Sequence, residues 1–398
     1  MKDRRPVRVV ALVSLGHLTN HLIVMVVPPL VVTWVEDFAI DYTAVGVIMA
    51  VTAITSAVSV VPVGILTDRV PARHVLIAGL CVLSLSVIGL GLSRSYSELL
   101  VWAALMGLGN TVFHPCGYTI LSASVPKQWL GRAFSVHTFA GYAGFALTPA
   151  IIGLAVLYWD WRSALIAMGL AGLAVAAVMT LHRDILVDGR GTDSADRNRR
   201  REGRAILLTL PIQMCFAFFF LTTIAYWGFD SFLPASLFEH HGIPETLGTF
   251  ALTVFFGFSA IGILIGGVIA DRTTRHDLTA TGGFIIAATC IFLIGDVAGG
   301  TATIFVLIAV AGLGAGVVTP SRDLIVRRVT PRSETGKVFA FMTLGMDAGT
   351  FIAPPLFGIL MDGGHVVWLF RLAAIMLIGS VLTVTATRHI HRHRGVPA

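Results

Sequence analysis

The chain has 398 residues, 56% hydrophobic and 13% charged, with a formal charge of +6 and a mean hydropathy of +0.84. Soluble domains carry about 25% charged residues, so half the usual charge is missing and a soluble enzyme with one anchor is excluded. Twelve apolar stretches reach the roughly 20 residues needed to cross a bilayer: 9–32, 43–67, 74–93, 98–125, 133–156, 162–182, 205–229, 246–270, 278–297, 301–326, 337–360 and 366–387. None shows the two-residue alternation of barrel strands. The pattern predicts an all-α membrane protein of twelve transmembrane helices.

The basic residues orient it. Of the 28 Lys and Arg residues, 24 fall in the tails and in alternate loops, and only Arg94 and Arg162 fall on the opposite side. That bias places both termini in the cytoplasm, and a bacterial inner membrane is the expected location. The +6 charge therefore describes topology, and no nucleic-acid partner is expected. The opening MKDRRPVR and apolar run imitate a signal peptide, but the run is too long and lacks an A-x-A-like site. It is read as the retained helix 1.

Ionisable groups inside a span are costly and normally face a cavity or a partner. Helix 1 carries His17, Asn20 and His21, which share about 100° of helix surface. Helix 4 carries Asn110, His114 and Tyr118 at four-residue spacing. His21 and His114 sit about 16–18 Å from their cytosolic helix ends, a depth suited to proton handling or anion binding. Their alternative is a hydrogen-bonded stitch between helices 1 and 4. On helix 5, His137 is expected at a helix interface, and Arg162 after Trp161 as an interfacial anchor.

The segment 183–204 holds seven arginines and reads as a flexible basic linker. It divides the chain into an amino-terminal six-helix bundle (1–182) and a carboxy-terminal bundle with a cytosolic tail (205–398). The halves repeat. GLGNTVFHP (107–115) aligns with GLGAGVVTP (312–320), and at the same offset Pro126, Gly131, Phe134, Gly144, Pro149 and Gly153 meet Pro331, Gly336, Phe339, Gly349, Pro354 and Gly358. Two parallel repeats imply pseudo-symmetric bundles with a substrate site between them at the midplane.

In the second half, His240 and His241 are expected in an outer loop. In helix 10, Arg322 flanks a face made by Gly312, Gly316, Thr319 and Asp323. Arg322 is open to snorkelling, pairing or anion binding. Asp347 in helix 11 stands about 15 Å from Lys337. It is either a proton carrier or the structural ion-pair partner of Arg322. Cys81, Cys116, Cys215 and Cys290 are scattered over four helices, so neither a disulfide nor a zinc site is expected. No metal is assigned to His240 and His241 or to the tail histidines His389, His391 and His393. GLGAG (312–316) mimics a dinucleotide loop but lies inside a span with no strand before it. No Walker A motif and no nucleophile–base set appear. No cofactor and no enzymatic activity are therefore expected.

GILTDRVPARH (Gly64–His74) and GVIADRTTRH (Gly267–His276) recur at matching loops. With the repeat, they make the chain resemble the major facilitator superfamily over essentially its whole length. The family's G-x-x-x-D-R-x-x-R-[RK] motif fits Gly64, Asp68, Arg69 and Arg73, with Asp271 and Arg272 in the second copy. The resemblance implies a latch in which Asp68 and Arg69 hold one access state. Within the superfamily, GHLTNH (Gly16–His21) and FHP (Phe113–Pro115) are similar to the S-H-x-x-N-D and F-H-P stretches of fosmidomycin-resistance-type efflux proteins. Here His21 stands where that group has an acid.

The expected function is secondary transport of a small molecule by rocker-switch alternating access, with efflux implied by that resemblance. Protons would be the coupling ion, carried by Asp347 or the His21/His114 pair. A potential of 100 mV supplies about 2.3 kcal/mol per charge. The partners would be the substrate, protons and the bilayer, and the protein a monomer. Rival readings are anion uptake by symport through Arg322, a polytopic membrane enzyme, and a sensor.

Overall fold

A computed structural model describes residues 5–187, 204–297, 299–330 and 335–393, without the side chains of Asp68, 204–205, 328–329, 335–336 and 386–393. Most of the predicted linker (188–203) and the side chains of Asp68 and the tail histidines thus lie outside what the structure describes. Backbone polar groups in hydrocarbon must be satisfied within their own segment. The described residues accordingly form helices and no strand.

Twelve of the helical segments are long and apolar enough to span a membrane. Spans 1 to 6 are Arg5–Phe38, Tyr42–Thr67, Ala72–Leu92, Tyr96–Ser124, Lys127–Tyr158 and Trp161–Leu181. Spans 7 to 12 are Leu210–His241, Glu245–Arg272, His276–Asp296, Thr301–Arg327, Lys337–Asp362 and Val366–Thr385. Short polar residues start several of them. Asp41 accepts from Ala44 N at 2.7 Å to cap span 2, and Asp160 accepts from Ser163 N at 2.9 Å to cap span 6, satisfying amides no helix carbonyl reaches. The Ser163 hydroxyl and amide hold the Asp160 carboxyl below its ordinary range.

The chain clusters into two compact units, Met1–Thr192 and Asp193–Ala398. Within the first, span 1 packs on span 5, span 2 on span 4, span 3 on span 4 and span 3 on span 6. Within the second, the equivalent pairs 7 and 11, 8 and 10, 9 and 10, and 9 and 12 pack likewise. The internal repeat read from glycines and prolines is therefore a repeat of packing.

Three expectations need correction. Span 7 does not end at 229 but runs to His241, where Gly242 closes it in the left-handed region at φ 63. The apparent breakers are internal: Asp230 and Ser231 are buried, and Pro234 lies within the helix. His240 and His241 consequently belong to the last turn of span 7 and not to a loop. Their Nε2 atoms bond the carbonyls of Gly295 (3.0 Å) and Ile294 (2.8 Å), where span 9 ends.

Span 1 is interrupted. Helix Arg5–Val24 gives way to a 3-10 turn at Pro28–Leu30 before Val31–Phe38. Span 4 is interrupted as well, with helix Tyr96–Asn110 followed by Phe113–Ser124. Pro115 supplies no N–H to Thr111 O, and a proline past the first turn removes a ladder bond and kinks or breaks the helix. The four-residue register assumed from Asn110 to Tyr118 therefore breaks between Asn110 and His114.

Candidate functional site

A dense polar cluster lies inside the first unit. His17 is buried, His21 half-buried and His114 exposed, and one potential ligand nitrogen from each lies within 4.8 Å of the others. The ring centroids of His17 and His21 are 4.4 Å apart, those of His17 and His114 5.4 Å. His17 and His21 meet because four residues separate them on one helix face. His114 arrives from the helix that begins at the break in span 4.

A fourth imidazole joins them. His137 of span 5 is 1% exposed and stacks on His17 with centroids 4.1 Å apart. Its backbone carbonyl accepts a hydrogen bond from His17 Nδ1 at 2.8 Å. His137 is at a helix interface, as its position implied, but the interface is the site itself. Its sequence signal was depth, a histidine well inside an apolar run.

Glycine brings the elements this close. A Cβ on Gly141 would lie 2.7 Å from His17 Cε1, and one on Gly144 would lie 2.7 Å from Leu18 O and 2.8 Å from His21 Cβ. At these two positions span 5 approaches span 1 too closely to carry a side chain.

The cluster is under-bonded. His17 Nε2, His21 Nδ1, both ring nitrogens of His137 and both amide atoms of Asn20 are buried with no hydrogen-bond partner. Each unsatisfied buried group costs about 1–3 kcal/mol. Tyr118 stacks on His114 at 6.1 Å and sits edge-on to His137 at 5.8 Å. Asn110 is not part of the cluster; its Nδ2 donates to Ser56 Oγ of span 2 at 3.2 Å.

In the second unit Arg322 pairs with its neighbour Asp323, Nε to Oδ1 at 3.0 Å. Its guanidinium also lies 4.8 Å from the Phe219 ring centroid of span 7. The expected alternative partner, Asp347, is half-buried and makes no hydrogen bond or ion pair among the described residues. Thr343 and Thr350, which share its face, donate to the carbonyls of Phe339 and Met346. Sequence reasoning missed a further carboxylate. Asp230 is 7% exposed, its Oδ1 has no hydrogen-bond partner, and neither has the buried hydroxyl of Tyr226 one turn earlier. Ending helix 7 at 229 hid Asp230 in a loop.

The repeated loop motif is only partly described. Asp68 and Arg69 occupy the last turn of helix Tyr42–Arg69, with Arg69, Asp271 and Arg272 exposed. Arg73 Nε is buried and unpartnered. Gly64 and Gly267 were expected to permit close helix contact. No described atom outside its own helix turn comes within 4 Å of a Cβ placed on either. Arg162 donates to the carbonyls of Gly91 and Ser93 at the end of span 3. All four cysteines are free.

The model of the Major Facilitator Superfamily matches residues 13–235 and again 215–397. The chain belongs to that superfamily. Among curated relatives, the fosmidomycin resistance protein of Escherichia coli K12 is 22% identical over 404 residues, covering 98% of this chain and 95% of that one. The nitrite extrusion protein of Bacillus subtilis 168 is 25% identical over 266 residues, covering 66% and 65%. A solved bacterial homolog of the human lysosomal transporter Spinster, inward-facing and occupied, superposes with a TM-score of 0.78 at 12% identity, covering 97% of this chain and 96% of that one. A POT family transporter superposes at 0.75 with 13% identity. This major facilitator is an integral membrane secondary transporter of a small molecule and not an enzyme.

Proposed function

We propose that the protein exports a small molecule across a bacterial cytoplasmic membrane in exchange for protons, by alternating access, with both termini cytoplasmic. The observation that carries this reading is the His17/His21/His114 cluster beside the orphaned amide of Asn20. Buried donors and acceptors left unpaired are what a site presents to a polar ligand, because the ligand then supplies the missing bonds. Imidazoles can also take and release protons, as can the unpaired carboxylates of Asp347 and Asp230.

Export is favoured by the whole-length similarity to a fosmidomycin resistance protein, with a nitrite extrusion protein among the relatives. Uptake of an organic anion is the second reading, since a probable L-galactonate transporter of Escherichia coli K12 is 22% identical over 249 residues. Arg322 would be its anion-binding cation. The Asp323 carboxylate already neutralises Arg322, which weakens that role.

The test is flux in proteoliposomes with an imposed pH gradient, starting with fosmidomycin and nitrite, scoring substrate direction and proton movement together. Substrate and proton moving in opposite directions is the expected result. Flux indifferent to the gradient would discard coupling, and movement in the same direction would favour uptake.

A further inference from the structure

We propose that His17, His21 and His114 form a binding site for one divalent transition-metal ion of the zinc class. Their potential ligand nitrogens already lie within 4.8 Å of one another. In a tetrahedral zinc site with Zn–N distances of about 2.0–2.1 Å, ligand atoms stand about 3.4 Å apart. Small side-chain rotations close that difference. Imidazole suits zinc, copper, nickel and cobalt, and the exposed His114 leaves the cluster open on one side.

The tautomer of His17 is set for this task. A carbonyl oxygen can only accept, so the 2.8 Å contact with His137 O makes Nδ1 the protonated nitrogen. Nε2 then keeps its lone pair, and it is buried with no hydrogen-bond partner. A backbone carbonyl holding the far ring N–H is the usual support of a metal-ligating histidine. His21 Nδ1 is likewise buried and unpartnered. His17 and His21 stand at i and i+4 on one helix face, the spacing by which helices present two histidines to zinc. His114 supplies the third donor from a separate helix, and a fourth position remains for water or another ligand.

The other histidine pair does not compete structurally, since His240 and His241 each commit Nε2 to a backbone carbonyl. The inference concerns the same cluster as the transport reading but does not depend on it, because binding is measured without a gradient.

The test uses untagged full-length protein in detergent, with His389, His391 and His393 changed to Gln so that the tail adds no background. Co²⁺ is titrated while its visible absorption is followed, and bound Zn²⁺ is counted after equilibrium dialysis. One ion per chain with a four-coordinate cobalt spectrum is expected. His17→Gln, His21→Gln and His114→Gln should each weaken binding about a hundredfold or more, with size-exclusion profiles unchanged. His240→Gln/His241→Gln should bind as the parent does. Absence of saturable binding in the parent protein overturns the proposal whatever the variants do, and so does binding that survives His17→Gln or His114→Gln. Metal binding without proton-coupled flux would retain the site and remove the transport reading; flux without metal binding would do the reverse.

Discussion

The Nδ1 of His17 donates to the backbone carbonyl of His137 at 2.8 Å while the two rings stack 4.1 Å apart. This contact ties span 1 to span 5 across 120 residues of sequence and fixes the imidazole around which the other polar groups gather. If the cluster is one functional unit, His21→Ala and His114→Ala should each cut transport at least about tenfold. The double variant should lose less than the product of the two, because neighbours in one network are not additive. Vesicle flux normalised to protein in the membrane decides it, and additive losses would separate the residues.

Gly144→Ala should lower thermal stability by about 1–3 kcal/mol, the range for overpacking a filled interface, because the new methyl meets the Leu18 carbonyl. Gly131→Ala, in the same span, meets no atom within 4 Å and should be neutral or stabilising by up to about 1 kcal/mol. Melting curves in one detergent compare them directly; equal shifts would refute the close approach of spans 1 and 5.

Asp347→Asn should retain substrate counterflow and lose pH-driven accumulation, since exchange needs no net proton movement. Had Asp347 been the partner of Arg322, neutralising it would strand a cation and both activities would fail. Arg322 instead pairs with Asp323, so Asp347→Asn strands no cation. Retained accumulation in Asp347→Asn would move the proton site to Asp230 or the histidines.

Asp230→Asn gives a parallel reading of the carboxylate in span 7. With Oδ1 unpartnered, the change removes no bond at that atom and should leave the melting temperature within a few degrees. Accumulation driven by pH should nonetheless fall if Asp230 exchanges protons during transport. Parent-like accumulation would assign Asp230 a structural role.

Gly242→Ala should destabilise the second unit by about 1–2 kcal/mol, because φ 63 is left-handed backbone that costs a residue with a Cβ. A shift confined to a few tenths would place the end of span 7 elsewhere.

Membrane class, span count and the internal repeat were legible from the sequence because each depends on composition or on residues at a fixed offset. Hydrocarbon forces every spanning segment into a helix, so long apolar runs suffice to count them. The repeated glycines and prolines foretold the matching packing pairs for a similar reason, as each marks a place where a helix lacks a side chain or an amide. His17, Asn20, His21 and His114 could be named from their depth in apolar runs.

The tertiary structure alone decided which of these residues meet. Asn110 left the set because the backbone breaks after it, and His137 entered because Gly141 lets span 5 press against His17. Asp230 emerged because a helix runs through aspartate, serine and proline whenever neighbouring helices bury them. Local polarity marks the end of a helix only where water can reach it, and whether water reaches a position is set by helices distant in sequence.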